Sequence, residues 1–207
     1  GVDIRGRSRT LRINYRTSHQ IRMQADRLLG KEIADVDGNV EERRGIVSVF
    51  NGPKPAILVC ESQKKEIDAV AKWVKERISG GTLPHEIGIF VRSEAQMLRA
   101  QSAVEKVKIS YCILDDKVET ASGNVSISTM HLAKGLEFRA VCVMACDDNV
   151  VPLQERIEMA GDDAELEEVY NTERHLLYVA CTRARENLLI TSGVSPSEFL
   201  DDLQASR

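Results

Sequence analysis

Short runs of β-branched and small apolar residues recur along this chain, separated by helical patterns. Ile87-Gly88-Ile89-Phe90-Val91 contains no polar residue, so a strand made from it has to be covered on both faces. Ala140 to Ala145 and Leu188-Leu189-Ile190-Thr191 read the same way, and further strands are expected over residues 46–50, 56–60, 110–114 and 125–130. Between them, Ile67, Val70, Ala71, Val74 and Ile78 fall at helical spacing, and Gly80-Gly81 ends that helix. Ser93 with Gln96 has the pattern of a capping box for a helix reaching about Val107. A long helix is expected from about Ala164 to Cys181. Another opens at Thr17 with Gln20 and carries Ile21, Ala25, Leu28 and Leu29 on one face. This alternation predicts an α/β fold: a parallel sheet flanked by helices in a three-layer sandwich.

A chain of 207 residues suits one domain spanning 1–207. The polar stretches 115–124 and 38–44 read as a connector and a loop within it. The longest apolar run, Ala140 to Cys146, is far short of a membrane span, so no membrane partner is expected. No charged-then-apolar leader is visible, and the five cysteines are odd in number and never spaced as CxxC, which predicts reduced thiols and a cytoplasmic location. The net charge is −4, but it is unevenly distributed. Residues 1–31 are rich in arginine, whereas residues 147–173 are strongly acidic and read as solvated surface.

In open parallel sheets, ligands gather beyond the carboxyl ends of the strands. Three segments offer chemistry at or near expected strand ends. In Leu11-Arg12-Ile13-Asn14-Tyr15-Arg16-Thr17, an aromatic ring able to stack on a base sits beside a guanidinium able to grip phosphate. A packed core tyrosine beside a surface arginine is the plainer alternative. In Thr129-Met130-His131-Leu132-Ala133-Lys134-Gly135-Leu136-Glu137-Phe138, hydroxyl, imidazole and ammonium groups surround a glycine, a set suited to a phosphate backbone. In Glu173-Arg174-His175-Leu176-Leu177-Tyr178-Val179-Ala180-Cys181-Thr182-Arg183, the last arginine falls just past an apolar helix. It is either a dipole-complementing cation or a group held to meet phosphoryl charge. There is no GxxxxGK[ST] loop, zinc-ligand spacing or GxSxG elbow; Gly30-Lys31 is followed by Glu32.

Together and in this order, these segments resemble the C-terminal motor domain (2A) of UvrD/Rep-like superfamily 1 helicases. Leu11-x-x-Asn14-Tyr15-Arg16-Thr17 is similar to motif IV of that family. Ile87 to Arg92 with Ser93 and Gln96 is similar to its next strand-and-helix signature. Thr129-x-His131-x-x-Lys134-Gly135-Leu136-Glu137-Phe138 is similar to motif V, and Glu173 to Ala184 to motif VI. The resemblance implies a RecA-like, P-loop-NTPase-type sheet without its own P-loop. It implies that Tyr15 stacks on adenine, that Arg16 and Arg183 reach the γ-phosphate as the catalytic pair, and that Glu137, with Gly135 beside it, meets the ribose. Thr129, His131 and Lys134, with Arg92 a weaker candidate, would face single-stranded DNA. ATP with Mg2+ would be the cofactor, the metal held by an N-terminal motor domain carrying motifs I to III. The implied activity is that of an ATP-dependent DNA helicase or translocase of 3′-to-5′ polarity, acting on single strands or junctions and silent as an isolated fragment. Larger relatives insert a 2B domain where this chain has only residues 115–124. Two alternatives stay open on sequence: a non-catalytic module that binds DNA or protein, and an RNA-directed motor.

Overall fold

The computed structural model describes residues 13–14, 16–29, 33–34, 40–41, 47–115 and 120–204. Two small pairings lie outside the main sheet. β1 (Ile13–Asn14) runs parallel to β4 (Val47–Ser48), and β2 (Ile33–Ala34) antiparallel to β3 (Val40–Glu41). The last of these falls inside the stretch expected to be loop. The main sheet contains β5 (Ala56–Val59), β6 (Ile87–Val91), β7 (Tyr111–Ile113), β8 (Val125–Thr129), β9 (Phe138–Val143) and β10 (Ala184–Ser192). Its order is β5-β10-β9-β6-β8-β7, and every pairing is parallel.

Strand parity divides the core. Ile87, Ile89, Val91, Ala140, Cys142 and Leu189 point to one side, under α2 (Gln63–Ser79) and α3 (Met97–Lys106). Phe90, Val141, Val143, Leu188 and Ile190 point to the other, under α1 (His19–Ala25), α5 (Asp163–Cys181) and α6 (Phe199–Gln204). A short helix, α4 (Gln154–Glu158), precedes α5. Period-2 alternation on strands buried on both faces is what produces three layers. Gly88 faces the α5 side, where the Phe138 ring occupies the room a side chain would take: a Cβ at 88 would lie 2.6 Å from Phe138 Cδ2.

Several local expectations change in the structure. Ser18, not Thr17, caps α1, accepting from the Ile21 N–H, and this releases the Thr17 hydroxyl for a distant partner. Ser93 makes no side-chain cap; residues 94–96 form a 3-10 turn ahead of α3. β10 starts four residues before its apolar run, because Ala184 and Asn187 pair with Phe138 and Ala140 across a one-residue register shift. Two members of the acidic stretch are not solvated: Glu173 is buried and Asp147 nearly so, both in ion pairs with arginine.

Candidate functional site

The described candidates fall at two opposite poles of the sheet rather than all at the carboxyl ends of the strands. Thr129 is the last residue of β8, and His131 and Arg92 follow the carboxyl ends of β8 and β6. Glu137 and Arg183 immediately precede β9 and β10 at the amino pole. Tyr15 lies outside the described residues.

The amino pole is assembled from three parts of the chain. The Thr17 hydroxyl donates to the Thr182 carbonyl oxygen at 3.2 Å across 165 positions of sequence, and the Ser18 N–H donates to the Arg185 carbonyl at 3.0 Å. These bonds dock the start of α1 on the start of β10. The Phe138 N–H donates to the Arg183 carbonyl at 2.9 Å, which brings in the segment containing Glu137. The partly buried Arg183 guanidinium is braced by backbone: Nε donates to Val179 O at 3.0 Å and Nη1 to Leu136 O at 3.4 Å, while Nη2 donates to Thr182 Oγ1 at 3.3 Å. Burial, and next the nearby Arg16 charge, lower the Arg183 pKa; Tyr178 and Glu137 act in the opposite direction. Two guanidiniums are therefore held within electrostatic reach of each other, with Arg16 and Glu137 exposed. Such an arrangement costs free energy unless an anion lies between them. Gly135 adopts φ +87°, a left-handed conformation that favours glycine, and it and Lys134 are exposed.

At the carboxyl pole the central group is Glu173, which the motif comparison left without a role. Its carboxylate accepts from Arg92 Nε and Nη2 at 2.6 Å each, from Arg156 Nη1 at 2.9 Å and from the Leu153 N–H at 3.3 Å. Burial pushes its pKa up, but Arg92, Arg156 and the Leu153 N–H outweigh that and hold it below 4.5. Arg92 is 3% exposed, so its forked edge serves Glu173 and a ligand can meet it only through its neighbour. That neighbour is the exposed His131, whose Nε2 lies 2.9 Å from Arg92 Nη1. Thr129 is partly exposed. A signal for Glu173 was present in the sequence: with Leu177, Ala180 and Cys181 it falls at i, i+4, i+7 and i+8 on the buried stripe of α5.

A second buried glutamate, Glu66 on α2, accepts from Thr191 Oγ1 at 2.6 Å and the Ala145 N–H at 2.9 Å and pairs with Arg99, which also reaches Asp147. It braces the sheet below the carboxyl pole. Among the described residues, no cluster of three or more His, Cys, Asp or Glu side chains is placed to hold a metal ion. No helix there is long and apolar enough to cross a membrane.

Residues 113–195 match the model of the UvrD-like helicase C-terminal domain. Over that segment, which is less than half of the chain, the sequence is similar to UvrD-like helicases. The UvrD-like segment includes Thr129, His131, Lys134, Gly135, Glu137 and Arg183; Tyr15, Arg16 and Arg92 lie before it. The ATP-dependent DNA helicase PcrA of Staphylococcus epidermidis is 38% identical over 99 residues, covering 42% of this chain and 13% of that protein. PcrA of Staphylococcus aureus is 38% identical over 102 residues, covering 44% and 13%. The chain thus matches only about an eighth of the length of these relatives. A crystal structure of the C-terminal domain of a possible DNA helicase from Lactobacillus plantarum WCFS1 superposes with a TM-score of 0.63 at 22% identity, covering 92% of this chain and 94% of that one. The fold around the UvrD-like segment is α/β and RecA-like.

Proposed function

We propose that the chain works as a single body, the second motor domain of an ATP-dependent DNA helicase or translocase of 3′-to-5′ polarity. An N-terminal motor domain supplies the P-loop and the Mg2+ ligands, and residues 115–124 take the place of an inserted 2B domain. The chain's share of the reaction is electrostatic. Arg16 and Arg183 receive the terminal phosphate of ATP that the other domain presents, neutralising charge as it develops in the transition state. Tyr15 stacks on the base and Glu137, beside Gly135, takes the ribose. Thr129, His131 and Lys134 line the single-stranded DNA track, and release of the phosphate loosens the closure between domains. The protein acts in the cytoplasm, and these residues alone hydrolyse no ATP.

The observation that carries this reading is the proximity of Arg16 and Arg183, like charges brought together by the Thr17–Thr182 hydrogen bond. A module that only bound DNA or protein would have no use for such a pair. In the full-length protein, Arg183→Ala is expected to lower ATP turnover by about 10³–10⁵ with nucleotide binding retained. Normal turnover in that variant would remove the role assigned to the amino pole.

A further inference from the structure

Arginine has donors and no acceptor, so the 2.9 Å contact between Arg92 Nη1 and His131 Nε2 has one polarity. The guanidinium donates, the imidazole accepts, and His131 is neutral with its proton on Nδ1. The donor cannot swing away, because its other two nitrogens are clamped at 2.6 Å by a carboxylate that is 0% exposed. A carboxylate, a guanidinium and an imidazole thus form a relay from the interior of α5 to the exposed surface after β8.

We propose that Arg92, locked by Glu173, is a positioning residue that fixes the Nδ1–H tautomer of His131 and presents that N–H outward as a donor to a polynucleotide phosphate. The proposal rests on the reading of the carboxyl pole as the nucleic-acid track and gives Arg92 an indirect part in it. A neutral donor suits a motor that must let go at each step: it gives direction and a hydrogen bond without the long reach of a full charge. The charged groups facing His131 are Arg92 after β6, Arg156 on α4 and Glu173 on α5. Partial desolvation, then the Arg92 charge, keep the imidazole below its ordinary 6.5; Arg156 adds to this and Glu173 opposes it. Without Arg92, the ring would be free to take the Nε2–H form and to charge more readily.

Nitrogen-resolved NMR of the His131 ring in the 207-residue chain, with and without an oligo(dT) strand, tests the proposal. The unaltered chain is expected to show the Nδ1–H tautomer at pH 7.5, a midpoint below 6.5, and ring shifts on adding oligo(dT). Arg92→Met removes donor and charge: the tautomer should revert to mainly Nε2–H, the midpoint should rise, and oligo(dT) should bind about tenfold more weakly. Arg92→Lys keeps a counter-ion for buried Glu173 should the methionine variant not fold, yet one ammonium cannot reproduce the fork, so the tautomer should still be lost. Persistence of Nδ1–H in the folded variants, or a charged ring at pH 7.5 in the unaltered chain, overturns the positioning role. If the tautomer responds as expected but oligo(dT) leaves the ring unmoved, the positioning role is supported and the assignment of this pole to nucleic acid falls.

Discussion

Thr17 and Thr182 are joined by a 3.2 Å hydrogen bond from the hydroxyl of the first to the carbonyl oxygen of the second, and their neighbours Arg16 and Arg183 lie within electrostatic reach of each other. The bond spans 165 positions of sequence and, with the bond from the Ser18 N–H to the Arg185 carbonyl, docks the segment that carries Arg16 beside Arg183. Thr17 is almost wholly buried, so its hydroxyl has no water to fall back on.

Thr17→Val keeps the shape of the side chain and deletes the donor. Stability is expected to fall by about 1 kcal/mol, read as a lower urea midpoint at unchanged slope. In the full-length protein the same change should raise the KM for ATP, because Arg16 loses its anchorage.

Arg16→Ala removes one of two repelling charges, the one that helps to lower the Arg183 pKa. The thermal midpoint of the chain is expected to stay level or rise slightly, in contrast to most arginine truncations. Tripolyphosphate, a stand-in for the phosphate chain of a nucleotide, should stabilise the unaltered chain and lose most of that effect in the variant. Equal stabilisation of both would mean that the polyanion binds elsewhere.

Gly88→Ala tests the close approach of Phe138. The new methyl would meet that ring at 2.6 Å, and the ring is hemmed in by Phe90, 6.0 Å away between centroids. A loss of about 1–3 kcal/mol in chemical denaturation is expected. Because the Phe138 N–H bonds the Arg183 carbonyl, the variant should also weaken the tripolyphosphate effect.

Acid should undo the carboxyl pole in two stages. His131 and Glu173 both bind protons less readily folded than unfolded, so their contribution is complete above the unfolded values and is lost as pH falls. The first decline belongs to His131 and starts as pH drops below 6.5. The second belongs to Glu173 and starts below 4.5. Urea midpoints measured across this range should show both, and His131→Gln should abolish the first alone.

Much of the sheet was legible because its strands are apolar on both faces: residues 87–91 and 140–143 alternate between the two cores as their parity requires. The two-residue pairings 13–14 with 47–48 and 33–34 with 40–41 are too short to leave a pattern. The start of β10 was hidden because Arg185, Glu186 and Asn187 look like a loop in isolation; Ala184 and Asn187 pair with β9, and Arg185 and Glu186 lie at a register shift between them. Thr17 and Ser18 are both competent helix caps, and only the position of Thr182 decides which of them caps. The strand-end rule pointed to the carboxyl ends of the strands, whereas Glu137 and Arg183 precede β9 and β10 at the amino ends. Glu66 and Glu173 were passed over for a different reason: a carboxylate on a helix reads as solvated until its helical phase is compared with the leucines and valines around it.

Helix α5 is one unbroken rod of 19 residues, about 28 Å long. Arg92 and Arg156 moor it near the middle through Glu173, and Arg183 follows directly on its final turn. A tilt of that rod cannot be confined to one end. Whatever pulls on the guanidinium at its tip also loads the ion pairs at its middle, beneath the imidazole, so the two poles of the sheet share one rigid member.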